Sequence, residues 1–346
     1  MKALVTGGSG FLGRHLVAEL QARGDSVTAM MRPSTAMRRG PVEGGTGVLA
    51  CDLRRPPQDL AGSLAEFDAI YHLVAAAGSG WREAFESNVA ATEKLLDALA
   101  AAGWRGRFVH VSSFAVYGAN QLPRGATLDE STPLEPEPGR RDDYAWTKLL
   151  QERLIRDRLG ELDGVELVVV RPGAIYARER RFQYRLGRPL GEHAVLMLGG
   201  GIPMPLNYVE NTASLLAECG RNPAAAGETF NAVDPSPPTQ RAYLRAWRRS
   251  DPQLKVIPFP LWAYRLLARG LERAEARSGG RTAPPAFLQP YVMEPSLRRL
   301  SYDVSRATAL LGWEPPVSPE EALLRTFPPS SASNTAASRR DSSSQL

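Results

Sequence analysis

The feature that most constrains the fold is a glycine-spaced turn at the start of the chain. Residues 3–5 are apolar and predict a buried strand, and apolar residues recur at helical spacing over 12–20. Between these segments, Gly7 allows a tight turn, Gly10 lets the backbone approach a pyrophosphate, and Gly13 lets the helix pack closely against the strand. Backbone amides at a helix N-terminus favour an anion. The turn therefore predicts a dinucleotide site contacted by Gly7, Gly10, Phe11, Leu12 and Gly13.

Strand-like and helical segments alternate over the first half of the chain. Helices are predicted at 81–102 and 142–159, and the strand-like runs are 3–6, 27–31, 47–50, 69–73, 107–111 and 165–170. Strands that alternate with helices form right-handed βαβ units, and the resulting parallel sheets bind ligands beyond the carboxyl ends of their strands. We therefore predict an α/β fold with a Rossmann-like, doubly wound parallel sheet and a smaller C-terminal substrate-binding lobe.

The regular alternation ends near residue 176, where prolines become frequent. We assign residues 1–175 to a dinucleotide-binding domain, with returns near 207–232, and residues 176–327 mainly to the substrate-binding lobe. Residues 328–346 are rich in serine and poor in apolar side chains, so we expect a disordered tail.

A second motif predicts acid–base chemistry. Tyr144 and Lys148 are four residues apart on a predicted helix, so they share one face and the ammonium can lie close to the phenol. A phenol with a pKa of about 10 is a poor base at neutral pH, but a neighbouring cation and an oxidised nicotinamide favour the phenolate. Ser113 follows a predicted strand and would hydrogen-bond the reacting oxygen. We therefore predict a catalytic triad of Ser113, Tyr144 and Lys148, and we expect His110, inside that strand, to be buried.

Further motifs occur in a fixed order along the chain. The Gly-x-x-Gly-x-x-Gly turn is followed by Cys51-Asp52-Leu53, Tyr71-His72-Leu73-Val74-Ala75-Ala76-Ala77, Ser112-Ser113, the pair Tyr144 and Lys148, Arg171-Pro172-Gly173, Tyr208-Val209-Glu210-Asn211 and Leu310-Leu311-Gly312-Trp313. This order resembles the extended branch of the short-chain dehydrogenase/reductase superfamily, often called the NAD-dependent epimerase/dehydratase family. The resemblance covers about residues 1–327.

The resemblance implies further cofactor contacts. In the family, an Asp at the position of Asp52, beside Leu53, holds the adenine, and the segment that contains Ala75 lies under the cofactor. It further implies that Lys148 holds the nicotinamide ribose and that Tyr144 and Pro172 contact the cofactor.

The end of the second predicted strand bears on the choice between NADP and NAD. NAD-preferring members of the resembled family carry an acidic side chain there, which accepts hydrogen bonds from the ribose hydroxyls and repels a 2′-phosphate. Met31 occupies that position here and Arg32 follows it, with Arg38 and Arg39 on the next loop. A guanidinium binds phosphate through parallel hydrogen bonds. We therefore expect a preference for NADP, with NAD as the alternative cofactor; the competing interpretation of Arg32 is a surface arginine at a strand end.

Departures from the family pattern bear on the substrate. Nucleotide-sugar epimerases of the resembled family have Asn three residues after the position of Arg171, where this chain has Ala174. The Arg-Pro-Gly run is closer to the hydroxysteroid dehydrogenase and dihydroflavonol reductase side of the branch. The resemblance thus favours an oxidoreductase that interconverts a secondary alcohol and a ketone on a small molecule by hydride transfer. The alternatives are a nucleotide-sugar epimerase or dehydratase and a non-catalytic dinucleotide sensor.

Residues 257–277 provide a second clue to the substrate. The segment combines an apolar face with arginines that recur every four residues: Trp262, Leu266 and Leu267 on the face, and Arg265, Arg269, Arg273 and Arg277 beside it. We interpret it as a lobe helix that packs its apolar face on the core and pairs its arginines with Glu272 or Glu275. The alternative is an interfacial helix on an anionic membrane, which would suit a lipid-like or steroid-like substrate.

Composition limits the partners, metals and cellular locations that the protein can be expected to have. The 346 residues carry 42 basic and 37 acidic side chains, a net charge of +5, without an aromatic-interleaved basic stripe, so we expect no nucleic-acid partner. Two cysteines, Cys51 and Cys219, are too few for a disulfide framework or a zinc site, and we expect both to be buried and no metal to be bound. The sequence shows neither a signal-peptide pattern nor an apolar run of membrane-span length, so we predict a cytoplasmic protein without membrane association. A homodimer stays open.

Overall fold

The protein's computed structural model describes residues 1–39, 45–76, 78, 80–278 and 284–329, with the side chains of Arg39 and Ala286 left out. Its α-helices are α1 (Phe11–Ala22), α2 (Pro33–Arg39), α3 (Leu60–Leu64), α4 (Trp81–Phe85), α5 (Ala91–Ala101), α6 (Asp143–Gly160), α7 (Val209–Arg221), α8 (Gln240–Ser250), α9 (Leu261–Arg277), α10 (Pro290–Leu297), α11 (Ser305–Leu311) and α12 (Pro319–Thr326).

The strands of the same residues are β1 (Lys2–Thr6), β2 (Ser26–Met31), β3 (Gly47–Ala50), β4 (Ala69–His72), β5 (Gly106–Val111), β6 (Thr127–Leu128), β7 (Val165–Pro172), β8 (Ala174–Tyr176), β9 (Gly187–Pro189), β10 (Ala194–Leu198), β11 (Leu206–Tyr208), β12 (Thr229–Ala232), β13 (Lys255–Phe259) and β14 (Ser301–Tyr302). Seven of them form a central sheet in the order β3-β2-β1-β4-β5-β7-β12.

All pairings in the central sheet are parallel. Successive residues of its inner strands are apolar, and Leu4 and Val5 of β1 are both fully buried, because helices cover both faces of the sheet. The predicted α/β class with a doubly wound parallel sheet is therefore confirmed. The strand order reverses at β1, which has β2 and β3 on one side and β4 and β5 on the other. Such a reversal opens a crevice at the carboxyl ends of the strands.

The helix predicted over 81–102 is divided by a π-helical turn, Glu86–Ala90, between α4 and α5. Asn88 in this turn is fully buried, accepts a hydrogen bond from the Ala76 amide at 2.6 Å, and donates one to Thr147 Oγ1 at 3.0 Å. The turn thereby ties the segment after β4 to α6, which carries Tyr144 and Lys148. Insertions of this kind are frequent at functional sites.

The second half of the chain builds a small sheet in the order β13-β10-β9, with α9 and α10 beside it. The expectation of one helix from residue 257 is wrong at its start, because β13 runs to Phe259 and α9 begins after Pro260. A proline inside a helix lacks the amide donor, so α9 begins beyond it.

The packing predicted for α9 is also wrong. Its buried residues are Tyr264 and Ala268, whereas Trp262, Leu266 and Leu267 are 72%, 68% and 48% exposed. The first arginine of the series, Arg265, pairs with Glu294 of α10 at 2.7 Å and not with a carboxylate of its own helix.

The structure also bears on the predictions for the two cysteines, the C-terminal tail and membrane spans. Cys51 and Cys219 are buried as predicted. Most of the predicted tail, residues 330–346, lies outside the described residues. Among the helices that the structure describes, none is long and apolar enough to cross a membrane.

Candidate active site

A cavity of about 500 Å³ lies at the carboxyl ends of β1, β4, β5 and β7. It is lined by ten of the residues predicted to bind cofactor or to act in catalysis: Gly7, Gly10, Phe11, Leu12, Gly13, Ala75, Ser113, Tyr144, Lys148 and Pro172. These residues come from distant parts of the sequence, and the shared sheet edge brings them to one space.

The glycine turn forms a tight cradle at the mouth of this cavity. Gly7 has a φ of +71°, a conformation that disfavours other residues, and the Gly10 amide donates to the Gly7 carbonyl at 2.9 Å. A Cβ atom at Gly13 would lie 2.3 Å from that same carbonyl oxygen. The cradle therefore exposes backbone at the N-terminus of α1, and its shape fits the pyrophosphate of a dinucleotide.

Ser113 and Tyr144 are held by the ends of two elements. Ser113 follows β5 and its Oγ accepts a hydrogen bond from the Ala115 amide at 3.1 Å. Asp142 caps α6 by accepting from the Ala145 amide at 2.9 Å, which places Tyr144 in the first turn of that helix. Burial raises the pKa of the Tyr144 phenol, and a side-chain hydrogen bond with Ser113 acts in the opposite direction. Without a cofactor, burial is the larger effect, and the lower pKa expected in the presence of an oxidised nicotinamide stays a prediction.

Lys148 reaches the same cavity but binds elsewhere. Its side chain is 1% exposed, and Nζ donates to the Val111 carbonyl at 2.7 Å and to Gln151 Oε1 at 2.6 Å. The helical spacing correctly places Lys148 on the cavity face, but its hydrogen bonds go to β5 and to Gln151 and not to the Tyr144 phenol. Burial lowers the pKa of Lys148 to about 7, with the charge of Glu152 opposing it.

A buried polar network continues from Lys148 and was not found from the sequence. Gln151 Nε2 lies 2.8 Å from Thr92 Oγ1 and 3.2 Å from His72 Nε2, and His72 Nδ1 lies 2.9 Å from Thr6 Oγ1. Burial lowers the pKa of His72 to about 3, so its ring is neutral at physiological pH. The network links the lysine to the residue that precedes the glycine turn. Polar residues inside otherwise apolar strands are the sequence signal that could have revealed it.

A buried ion pair supports the cavity from the β7 side. Arg171 donates to Glu152 at 2.6 and 3.1 Å, and the Ser112 hydroxyl donates to the same carboxylate at 2.5 Å. The Arg171 guanidinium keeps the pKa of Glu152 low against the effect of burial. The pair fixes Ser112 and Arg171, which are the neighbours of Ser113 and Pro172. His110, also on β5, is fully buried as expected.

Three predicted cofactor residues lie outside this cavity. Asp52 borders a separate cleft and forms a bidentate pair with Arg54, at 2.8 and 3.1 Å, that lowers the pKa of its carboxyl. Leu53 is 5% exposed and belongs to the hydrophobic core. Arg32 is exposed, and its charge acts on Asp52. The sequence did not predict this ion pair. Asp52 is the acidic residue of the Cys51-Asp52-Leu53 motif, and the positive charge of Arg54 offsets its negative charge near Arg32.

The cavity continues into the second half of the chain. Its lining there combines the apolar side chains of Ile175, Val292 and Met293 with polar and charged ones, which are Arg180, Gln183, Tyr184, Arg185 and Ser296. Arg180 lies over the Phe11 ring at 5.4 Å. Arg185 has no carboxylate partner among the described residues, and its Nη1 is buried without a hydrogen-bond partner there. This end can hold an apolar molecule that carries a hydrogen-bond acceptor.

A parallel sheet whose order reverses beside a glycine cradle is the architecture of a dinucleotide-dependent enzyme. The model of the NAD dependent epimerase/dehydratase family matches residues 3–232, and the chain belongs to that family. It is therefore an NAD(P)-dependent enzyme of the extended short-chain dehydrogenase/reductase superfamily, as the resemblance implied.

Among similar proteins, the 4-hydroxy-2-methyl-3-oxo-4-farnesyl-3,4-dihydroquinoline-1-oxide ketoreductase of Stigmatella aurantiaca is 32% identical over 252 residues, covering 70% of this chain and 71% of the relative. The 3 beta-hydroxysteroid dehydrogenase/Delta 5-->4-isomerase of Mycobacterium tuberculosis is 27% identical, covering 94% and 90%. The structure of UDP-glucuronic acid 4-epimerase from Bacillus cereus in complex with NAD superimposes with a TM-score of 0.70 at 19% identity, covering 94% and 97%. At that identity the structural likeness shows the shared fold.

Proposed function

We propose that the protein is an oxidoreductase that interconverts a secondary alcohol and a ketone, with NADP as the preferred cofactor and Ser113, Tyr144 and Lys148 as its catalytic residues. The observation that carries the proposal is that the side chains of Ser113, Tyr144 and Lys148 line one cavity, together with the glycine cradle. The similarity to proteins named as a ketoreductase and a hydroxysteroid dehydrogenase supports alcohol–ketone chemistry.

The two hydroxyl groups suit proton exchange with a substrate oxygen. An oxygen bound between them accepts a hydrogen bond from Ser113 and takes up or gives up a proton at Tyr144 Oη. The raised pKa of Tyr144 keeps its proton in place at neutral pH, which suits a general acid in the ketone-to-alcohol direction. The bound nicotinamide supplies or accepts the hydride.

Lys148 is proposed to hold the nicotinamide ribose and to set the charge around Tyr144. Its pKa of about 7 lets it change charge near neutral pH, which alters how readily the neighbouring phenol loses its proton. Gln151 and the Val111 carbonyl hold its Nζ in position.

The remaining cofactor contacts follow the shape of the site. Gly7, Gly10 and Gly13, with Phe11 and Leu12, are proposed to hold the pyrophosphate, and Ala75 and Pro172 to lie against the cofactor nearer its nicotinamide. Asp52 and Leu53 mark the adenine end.

The preference for NADP is proposed from the charges at the adenosine end. Asp52 forms its ion pair with Arg54, and the exposed guanidinium of Arg32, close to the end of β2, forms no ion pair among the described residues. A 2′-phosphate is the cofactor group that such a charge would bind.

The substrate is proposed to be a largely apolar ketone or alcohol. Ile175, Val292 and Met293 offer apolar contacts in the part of the cavity that the second half of the chain lines, and Phe114 lines it next to Ser113. Ala174, where the resembled epimerases carry Asn, also lines the cavity and offers no side-chain donor to a diphosphate. Both features support an oxidoreductase over a nucleotide-sugar epimerase.

The test is to incubate the purified protein and its cofactor with panels of apolar ketones, alcohols and nucleotide sugars, and to follow the absorbance of the reduced nicotinamide. We expect stoichiometric oxidation of NADPH with a ketone. Isomerised sugar without net cofactor turnover would establish the epimerase alternative instead, and cofactor binding without turnover of any substrate would favour the sensor. A cytoplasmic location and a homodimer stay predictions, which cell fractionation and light scattering would check.

A further inference from the structure

The outer face of α9 combines exposed apolar side chains with a row of arginines. Trp262 is 72% exposed, Leu266 is 68% exposed and the neighbouring Leu267 is 48% exposed. We propose that this face docks the protein on the surface of an anionic lipid bilayer. The proposal is independent of the reaction proposed above.

The spacing of the residues places both kinds of side chain on one face. Successive residues of an α-helix are turned by about 100°, so positions i, i+4, i+7, i+11 and i+15 lie together. In α9 these positions are Trp262, Leu266, Arg269, Arg273 and Arg277, and all five are exposed. Glu275 lies on the far side of the helix, whereas Glu272 borders this face next to Arg269. The docking face, defined by those five residues, is therefore apolar at one end and positive along the rest, and the exposed Leu267 lies to one side of it.

The opposite face of α9 connects the docking face to the cavity. Tyr264 and Ala268 pack with Met293 and Leu297 of α10. Met293 in turn lines the cavity, together with Val292 and Ser296 of the same helix. Helix α10 therefore separates the docking face from the space that would hold substrate, which places a bilayer beside the cavity wall.

Charge and shape favour a bilayer over other occupants. Trp and Leu enter the boundary between head groups and acyl chains, while arginines bury their stems and keep the guanidinium among phosphates. Each basic side chain near such a surface adds to the attraction by anionic head groups. A second copy docked about a two-fold axis would bring the same arginines against each other, which repels. Nucleic acid would use the arginines but leave Trp262 and Leu266 unexplained.

The test is co-sedimentation of the full chain with vesicles of phosphatidylcholine, or of equal parts phosphatidylcholine and phosphatidylglycerol. We expect binding to the anionic vesicles that weakens with salt, and little binding to the neutral ones. The pair Trp262→Gln with Leu266→Gln removes the apolar end, and Arg269→Glu with Arg273→Glu reverses the basic row. Each pair should lower the partition constant at least about tenfold, because a large apolar side chain or two reversed charges are each worth about that much.

Matched controls separate this face from general surface properties. Leu324→Gln changes an exposed leucine of α12, and Arg248→Glu with Arg249→Glu makes the same charge change on α8. These variants should keep parental binding, and all variants should keep the parental circular dichroism spectrum. Equal binding of the parent to both vesicles, absence of binding, or equal losses in the controls would overturn the proposal. So would a dimer in light scattering that the Trp262 pair abolishes while vesicles stay unbound.

Discussion

At the proposed catalytic centre, the side chains of Ser113, Tyr144 and Lys148 line one cavity but do not form a continuous chain of hydrogen bonds. Tyr144 interacts with Ser113, whereas Lys148 Nζ binds Val111 and Gln151. We therefore propose that Tyr144 transfers the proton and that Lys148 sets the charge near it. Each of these roles can be tested separately.

Removal of the Tyr144 hydroxyl tests the proton transfer. Tyr144→Phe deletes the phenolic oxygen alone, so we expect turnover of a true substrate to fall by roughly two to four decades while the dissociation constant of the cofactor stays near the parental value. Turnover is measured by reduced-nicotinamide absorbance and cofactor binding by calorimetry. Lys148→Ala is the comparison variant, and it should impair both quantities because the ribose contact is lost. Near-parental turnover in Tyr144→Phe would place the proton donor elsewhere.

Charge reversal at Arg32 tests the cofactor preference. Arg32→Asp should shrink or reverse an affinity order that places NADPH ahead of NADH, because a charge-assisted contact is worth roughly 1.5–3 kcal/mol, about one to two decades in affinity. The control is Arg248→Asp, which makes the same change at an exposed arginine of α8. Equal affinity of the parent for the two cofactors would contradict the NADP proposal.

Among the elements, the contact of α7 with β4 leaves no room for a side chain. A Cβ atom at Gly220 would lie 1.9 Å from the hydroxyl of Tyr71, which is fully buried in the central sheet. Buried aromatic side chains cannot turn aside without displacing their neighbours.

Gly220→Ala should therefore lower the free energy of unfolding by roughly 1–3 kcal/mol, the usual cost of overpacking. The measurement is urea denaturation followed by circular dichroism. Gly270→Ala is the matched control, because a Cβ atom there meets no atom within 4 Å and alanine has the higher helix propensity. We expect the control to be neutral or slightly stabilising. An unchanged midpoint for Gly220→Ala would mean that α7 and β4 can move apart at little cost.

For the molecule as a whole, the buried Lys148 predicts how stability depends on pH. Its pKa falls from 10.5 to about 7 on folding, so between these values the unfolded chain binds more protons than the folded one. The contribution of this group to stability therefore rises with pH from about 7 upward, by at most about 1.4 kcal/mol per pH unit. Below pH 7 the lysine is charged in both states and its contribution is constant.

Replacement of the amine isolates this contribution. In Lys148→Met the free energy of unfolding should rise less steeply between pH 7 and 9 than in the parent, and the difference between the two proteins should level off below about pH 7. Urea titrations without cofactor at several pH values measure it, and the difference cancels the other titrating groups that both proteins share. Parallel curves for the two proteins would show that Lys148 keeps its charge in the folded state.

Local sequence pattern was enough to predict the glycine turn, the parallel sheet and ten of the residues that line the cavity. The reason is that strand and helix periodicities depend on near neighbours, and parallel strands end at one edge of a sheet. Four features required the tertiary structure: β13 before α9, the exposure of Trp262, the pairing of Asp52 with Arg54, and the partners of Lys148. Periodicity shows that a helix has an apolar face but not whether another element covers it. Likewise, a spacing of four residues places Tyr144 and Lys148 on one side of α6, but burial and the acceptors that distant segments provide decide where the ammonium binds and what its pKa becomes.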